Sequence, residues 1–559
     1  MQFFIRKFIN NKLVLISLLV FSCLYLIQST YYLPRYLNHI DDSLVPLVYQ
    51  EKKIEERIDK CIQIFEKNTL ASYQKIIAGV CEFVTRYLSI PLSTTYPPSQ
   101  FVISSSIIEG MGTNNLDLGE KLTITRSVSF LFLIAGAVIY GVTLVVFSRA
   151  ENSSKLALFG LALILVLMPL QNRFYSYQSG PYAASYFSVG ILFLSYYYFK
   201  YKGDLTFLRI VGFSIVSAFA ISFSYMTALV VVPLAILLIK RRNDESLIDS
   251  LKKYGVFFAS SALFSFMYLP FLIRSLISFE SPGVTWNKGI DNIFFFSFNS
   301  EQGVIDNFLH FLNVSIVNLP YVLGTLSSFF ESTKEVYYII GLLILSVTFW
   351  LVLRANDQIS KEIRFVLIFL TFEVILLQFF GLITLSPTRH MMFYVATILM
   401  AVLIMMSRKE IFNSLKTFYL FILISIVSMG LYSDVLSKRQ SNYEEVKKIL
   451  LNHSGDLPVL MDRKYIFPKL RKNLLKNTFY HKENYCPGDA FPESLFLITS
   501  HREKKGGIIR ICADTDFLLI QDLSIQYSYK SISQVGLSNQ IYNSHNELNL
   551  YKLTLKGSE

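Results

Sequence analysis

The sequence predicts a polytopic α-helical membrane protein of about eleven spans with a small α/β domain at its C-terminal end. Hydrophobic residues make up 53% of the chain, and the mean hydropathy is +0.44, more than a soluble domain tolerates. Apolar runs of about twenty residues, the length that crosses a bilayer as a helix, recur up to residue 435. Beyond that point, short β-type stretches replace them. We therefore divide the chain into a membrane domain (1–435) and a second domain (436–559).

The apolar runs lie at 13–33, 127–148, 155–170, 183–199, 208–223, 225–240, 254–276, 336–353, 364–385, 391–407 and 417–435. The chain between 208 and 240 is read as two helices that turn near Ser222, because a single helix of that length would overshoot the bilayer. The segment 305–325 is moderately apolar, and a re-entrant or interfacial position is left open for it.

Lys and Arg residues cluster in alternate connections, which predicts a cytoplasmic N-terminus. An odd number of spans then places the loop 34–125 and the tail outside the cytoplasm. The first apolar run is read as a retained anchor, because it is long and lacks a small-residue cleavage site. These clusters and a basic tail account for most of the net charge of +12, so nucleic acid is not an expected partner. The predicted location is a multi-pass protein of a bacterial inner or plasma membrane.

Within the first outer loop, apolar residues recur at helical spacing over 47–65 and 73–88, which predicts helices on the membrane surface. The sequence Tyr96-Pro97-Pro98 then favours an extended turn. Four of the five cysteines fall in predicted outer segments. Local disulfides Cys61–Cys81 and Cys486–Cys512 are permitted there, while reduced, buried cysteines remain an alternative for the first pair.

The tail contains β-type stretches at 458–461, 494–499, 507–511, 517–520 and 550–553, after a predicted helix near 442–452. The sequence shows no internal repeat, no glycine-rich phosphate loop and no paired metal-ligand spacing.

Two adjacent carboxylates, Asp41 and Asp42, follow the first span at the start of the outer loop. Paired charges near a bilayer edge are costly to desolvate, so a partner or a chemical role is expected for them. Proton abstraction at the membrane surface is the role that we infer. A helix N-cap before Ser43 is the structural alternative, and it accounts for one Asp better than for two.

The order of these features resembles the GT-C superfamily of polyprenyl-phosphate-sugar-dependent glycosyltransferases, in particular its protein O-mannosyltransferase-like and aminoarabinose-transferase-like branch. The features are an inner anchor, the acidic pair, a long first outer loop with surface helices, the Pro-Pro turn and Arg126 opening the second span. Asp41-Asp42 stands where those families carry Asp-Glu or a similar pair. Tyr96-Pro97-Pro98 stands where they often carry His-Pro-Pro, so no histidine role is transferred to Tyr96.

The resemblance implies transfer of a sugar from a polyprenyl phosphate to a glycan, lipid or protein acceptor outside the cytoplasm. Asp41 would be the general base, and Asp42 would share that role or hold the acceptor. The candidate substrate- or phosphate-binding residues are Arg389, His390, Arg126, Arg173 and Tyr96. Anchoring at the membrane interface is the alternative for Arg389-His390 and the preferred interpretation of Arg173. A divalent cofactor, Mg²⁺ or Mn²⁺, remains open, although no third ligand is evident.

Two other function classes stay open. A glycan ligase or polymerase would more naturally carry its large outer loop late in the chain. A transporter would show charges within its spans and two similar halves. Glu373 is the one clear acid within a predicted span.

Overall fold

The computed structural model describes most of the membrane domain. The described residues are 2–32, 98–112, 118–148, 152–177, 183–202, 206–239, 247–265, 303–330, 332–379, 391–408 and 415–438, the isolated positions 59, 78, 79, 82, 116, 383 and 385, and six strands between 459 and 555. The statements below concern these residues.

The helices are α1 (Gln2–Tyr32), α2 (Pro98–Gly110), α3 (Leu118–Phe147), α4 (Asn152–Leu167), α5 (Leu170–Tyr177), α6 (Ala184–Tyr201), α7 (Phe207–Phe223), α8 (Ala228–Ile239), α9 (Leu247–Ser265), α10 (Val304–Ser327), α11 (Lys334–Leu353), α12 (Gln358–Phe379), α13 (Met392–Arg408) and α14 (Leu415–Lys438). A 3₁₀ turn, Tyr225–Thr227, joins α7 to α8. The strands are β1 (Val459–Met461), β2 (Phe479–His481), β3 (Ser494–Thr499), β4 (Ile508–Cys512), β5 (Thr515–Asp522) and β6 (Asn549–Leu555).

Each of the eleven apolar runs overlaps one of these helices in the described residues, and α7 and α8 are separate, as predicted. Four described helices, α1, α3, α10 and α11, are long and apolar enough to cross a membrane by themselves. The chain is therefore a helical membrane protein, and the number of its crossings stays a prediction. The segment 305–325 forms the continuous helix α10.

Helices α1 and α14 run parallel. Leu18 and Phe418 both lie against Gly160 of α4, and further along the two helices the Gln28 side-chain amide donates to the Met429 carbonyl at 2.6 Å. The chain therefore leaves α1 and α14 at the same end of the bundle. We call this the exit end, and the opposite end the basic end. The first loop and the tail both begin at the exit end.

Helices α3 and α6 also run parallel and pack closely. A Cβ on Gly136 would lie 2.8 Å from the backbone nitrogen of Phe187, and one on Gly190 would lie 2.8 Å from the Ile139 side chain. Glycine at both positions allows the two helices to approach each other, as is common between helices in membranes.

Helices α10 and α11 cross at two glycines. A Cβ on Gly324 would lie 1.7 Å from the Tyr337 carbonyl oxygen, and one on Gly341 would lie 1.7 Å from the Pro320 carbonyl oxygen. Backbone atoms cannot move aside as a flexible side chain does, so any larger residue must separate the helices.

A buried carboxylate joins three helices at the basic end. Glu362 of α12 pairs with Lys200 of α6 at 2.9 Å and accepts hydrogen bonds from the hydroxyls of Tyr196 at 2.6 Å and Tyr201 at 2.5 Å. Lys200 also donates to the Leu237 carbonyl of α8 at 2.7 Å. These bonds compensate the desolvation of both charges.

A second ion pair lies beside it. The Arg408 side chain pairs with Asp357 at 2.5 Å and donates to the Phe147 carbonyl at the end of α3 at 2.8 Å. Burial by itself would raise the pKa of Asp357, but the Ser360 hydroxyl and the Arg408 guanidinium outweigh it, so this pKa lies below the ordinary value.

The tail residues form one six-stranded sheet of order β2-β1-β3-β6-β5-β4. Strand β1 pairs in parallel with β2 and β3, and the other pairs are antiparallel. Five strands fall on the predicted β-type stretches. Strand β2 was not predicted, because a three-residue strand among polar residues has too little pattern to detect. The helix predicted near 442–452 lies outside the described residues, and the domain boundary at 435/436 stays a prediction.

Replacing Gly341 or Gly324 by Ala should lower the thermal unfolding midpoint of the purified protein by several degrees, because overpacking a close crossing costs about 1–3 kcal/mol. The matched control is Gly255→Ala in α9, where a Cβ would meet nothing within 4 Å. Equal midpoints for the three variants would contradict the crossing.

Asp357→Asn should make the stability of the folded protein less dependent on pH in the acidic range. A carboxylate whose pKa is depressed in the folded state stabilises it at higher pH, and this contribution disappears as the pH falls below the ordinary carboxylate pKa of about 4. The unfolding midpoints of wild type and Asp357→Asn, measured from pH 7 to pH 3, should therefore converge at low pH. In an Arg408→Met background the same substitution should have a smaller effect, and an unchanged effect would contradict the pairing.

Candidate functional site

Arg126 of α3 lies at the exit end, and its side chain is buried, with 1% exposed. It precedes the Gly136 contact with α6 by ten residues, which at 1.5 Å per residue is about 15 Å toward the N-terminus of α3. The stack of Tyr25 of α1 on Phe130, one turn further along α3, has a centroid separation of 5.9 Å. A guanidinium this deeply buried requires compensating partners, so Arg126 does not act as a simple headgroup anchor.

Helix α2 begins at Pro98, the second proline of the Pro-Pro sequence, and contacts the bundle at the same end. Pro98 is the first residue of α2, a position where the missing N–H of proline has no intrahelical partner to lose. The next residue, Ser99, is buried and donates to Ser222 at the end of α7 at 2.6 Å. Two residues on, Ser224 makes a 3.1 Å hydrogen bond with Ser185 at the start of α6. Serine hydroxyls thus connect α2, α7 and α6.

Arg173 lies on the short helix α5 and is also 1% exposed. Its guanidinium carbon is 3.8 Å from the centroid of the Tyr432 ring of α14, and Nη2 donates to the Phe329 carbonyl at 3.3 Å. Helix α5 is held in place because Leu170 N–H donates to the Ser328 carbonyl at 2.8 Å. The side chain of Arg173 is thus enclosed by α14 and the connection between α10 and α11, and its role as an interface anchor or a phosphate ligand stays a prediction.

The other predicted site residues, Asp41, Asp42, Tyr96, Arg389 and His390, lie outside the described residues. So do Cys61, Cys81 and Cys486, as well as the side chain of Cys512. Whether the acidic pair meets Arg389 therefore stays a prediction. Of the seven candidates, the structure places Arg126 and Arg173 at one end of the bundle, on helices α3 and α5, which pack against each other.

A metal site gains no support from the part of the chain that the structure describes, where no three His, Cys, Asp or Glu residues come together. Asp41 and Asp42 are not included in that finding.

Comparisons with known proteins give one likeness to report. The chain is similar to the crystal structure of ArnT from Cupriavidus metallidurans in the apo state, with a TM-score of 0.35 and 11% sequence identity over 86% of this chain and 92% of that one. A TM-score this low establishes neither the fold nor the function of this chain. No protein family model and no curated protein matches the sequence.

The sequence interpretation missed two polar features. The first is the pairing of Lys200 with Glu362, which joins distant parts of the chain and has no local signature. The second is a row of polar residues on α10. Its signal was present, because Asn307, Ser315, Asn318 and Thr325 recur at helical spacing within an otherwise apolar segment.

Arg173→Met should lower the unfolding midpoint strongly and Arg173→Lys less so, because lysine keeps the charge but not the planar group that stacks on Tyr432. A desolvated cation–π contact contributes about 2 kcal/mol. Arg354→Met is a matched control, since Arg354 lies 4.9 Å from the Trp350 ring centroid but is exposed at the basic end. Equal losses at the two positions would contradict a buried role for Arg173.

Proposed function

We propose that the chain is an integral membrane glycosyltransferase that moves a sugar from a polyprenyl phosphate to an acceptor on the extracytoplasmic side, with Asp41 as general base. The observation that carries the proposal is the convergence of its sequence elements at one end of the bundle. The loop that contains Asp41 and Asp42 begins at the exit end, helix α2 is bonded there through Ser99, and Arg126 is buried there.

The chemistry requires few groups. A sugar on a lipid phosphate already has a good leaving group. In the proposed step a carboxylate takes the proton of an acceptor hydroxyl or amine, the acceptor atom bonds to the anomeric carbon, and the bond from that carbon to the phosphate oxygen breaks with its electron pair leaving on phosphate. Cations stabilise the charge on the departing phosphate. Asp41 or Asp42 and the arginines are suited to these roles.

If Asp41 and Asp42 approach each other, one of them should titrate at higher pH, as a base that works near neutral pH requires. Arg389 is the proposed bidentate ligand of the phosphodiester, with His390 and Tyr96 beside the substrate. Arg126 and Arg173 are the candidate cations whose burial the structure describes. A divalent ion held by the acidic pair is an alternative way to neutralise the phosphate.

The orientation is part of the proposal. Lys200, Arg354 and Arg408 lie at the basic end, and the positive-inside rule assigns that end to the cytoplasm. The exit end then faces the compartment where lipid-linked sugars are presented, and the tail sheet stands on the same side as the first loop. There the tail domain could recognise the acceptor.

Asp41→Asn should reduce transfer of a labelled sugar from polyprenyl phosphate by at least a hundredfold, because general-base catalysis contributes about 10²–10⁴ in rate. Asp42→Asn should reduce it by a similar or smaller factor. The assay uses membranes that contain the full chain, supplied with labelled polyprenyl-phosphate sugars, with and without chelator.

The matched control is Asp59→Asn, which removes an exposed carboxylate from a helical position of the same loop. Transfer by Asp41→Asn and Asp42→Asn at the level of wild type would remove the catalytic assignment. Loss of wild-type activity on chelation would instead support a metal held by the pair.

A further inference from the structure

Helix α10 buries a row of polar side chains. Its exposed side includes Val304, Ile305 and Ile316, which are 75%, 74% and 67% exposed, together with Asp306, His310 and Asn313 in its first half. Among the apolar residues of its buried side lie Asn307, Ser315, Asn318 and Thr325, each at most 5% exposed. Polar side chains buried between helices of a membrane protein are costly, so a role inside the protein is expected for them.

The partner of that polar face is the end of α12. Ser315 donates to the side-chain carbonyl of Gln378 at 3.2 Å, and the rings of Phe311 and Phe379 meet edge to face with centroids 5.2 Å apart. We call Ser315, Asn318, Thr325 and Gln378 the polar seam. From Ser315 to Thr325 it extends about 15 Å along the helix axis. Its far end adjoins Ser328 and α5, so it lies at the exit end.

Polar residues between membrane helices often act only as hydrogen-bonding glue, and that role predicts a partner for each of them. Two seam groups depart from it within the described part of the chain. The side-chain nitrogen of Gln378 and the hydroxyl of Thr325 are buried and have no hydrogen-bond partner there. If the Gln378 amide is flipped, its oxygen becomes the unused atom. A buried polar group left without a partner costs about 1–3 kcal/mol.

We propose that the polar seam binds the hydroxyl groups of a neutral sugar headgroup presented by a lipid at the exit end. The seam offers neutral amide and hydroxyl groups, which donate to and accept from hydroxyls, and it adjoins the partly exposed ring of Phe379, on whose face an apolar sugar face can pack. The proposal rests on the glycosyltransferase function and assigns recognition of the sugar part to α10 and α12, whereas the arginines serve the phosphate.

Gln378→Met tests the proposal, because methionine keeps the length of the side chain and removes both hydrogen-bonding atoms. The purified full chain is titrated with bare polyprenyl phosphate and with polyprenyl phosphates carrying glucose, galactose, mannose or N-acetylglucosamine, and affinity is measured by native mass spectrometry. Wild type should bind at least one sugar-bearing lipid tenfold or more tightly than the bare lipid. Gln378→Met should lose that preference and keep the affinity for bare lipid.

The matched control is Ile316→Ala, which alters the lipid-facing neighbour of Ser315 and should leave the sugar preference unchanged. Gln378→Met also removes the acceptor of the Ser315 hydroxyl, so its unfolding midpoint without lipid is measured beside the binding to show that the variant is folded. Ser315→Ala, a smaller change, should weaken the sugar preference and replaces Gln378→Met if that variant does not fold.

Two results would overturn the proposal: equal binding of bare and sugar-bearing lipids by wild type, or an intact sugar preference in Gln378→Met, which would make the seam interhelical packing only. The two proposals fail separately. If Gln378→Met binds the sugar normally and Asp41→Asn abolishes transfer, the sugar-binding role of the polar seam is contradicted and the glycosyltransferase function is supported. If the sugar preference depends on Gln378 but the wild-type chain transfers no sugar, the polar seam is supported as a sugar-binding site and the glycosyltransferase function is contradicted.

Discussion

A bilayer offers a polar side chain no solvent, so each polar group in the helical region must find its partner within the protein or in a ligand. This constraint orders the whole helical region. At the basic end it accounts for the cluster around Glu362, whose carboxylate pairs with Lys200 and accepts hydrogen bonds from two tyrosine hydroxyls. At the exit end it encloses Arg173 between a tyrosine ring and a backbone carbonyl. Each arrangement fixes helices that lie far apart in the sequence, because a charge moved away from its partners would remain buried and uncompensated.

The same constraint separates structural from functional groups. The bonds of Lys200 and Glu362 are directed at each other, at tyrosines and at a backbone carbonyl, so this pair has little left to offer a substrate, and its role is to hold α6, α8 and α12 together. Gln378 differs, because it makes one hydrogen bond, at 3.2 Å, and its other amide atom has no partner among the described residues. Glu373, on the same helix, has a buried carboxylate oxygen without a hydrogen-bond partner among the described residues, and its side chain is only partly buried.

Much of the helical organisation could be predicted from the sequence, because apolar length is a property of the local sequence and each of the eleven runs overlaps a described helix. The tail strands, apart from the three-residue β2, were predicted from short β-type stretches, which are also a property of the local sequence. Interactions between distant segments could not be predicted. Arg173 looks like an interface anchor in the sequence because its local context is aromatic, and its burial depends on Tyr432 and Phe329, whose proximity only the fold creates. Helix α10 shows the intermediate case. Its polar spacing is visible in the sequence, but whether such a row faces lipid or the bundle is decided by the crossing at Gly324 and Gly341.

The parallel course of α1 and α14 gives the proposed function its geometric basis. If the two helices were antiparallel, the acidic pair and the tail sheet would lie on opposite sides of the membrane, and no acceptor held by the tail could reach a base in the first loop. Because both leave the bundle at the exit end, the first loop and the tail begin at the end where α2 and Arg126 lie, as the proposed function requires. The charge distribution reinforces this arrangement. Basic residues concentrated at the far end favour the cytoplasm, so the bilayer itself would hold the exit end toward the compartment in which the proposed sugar transfer takes place.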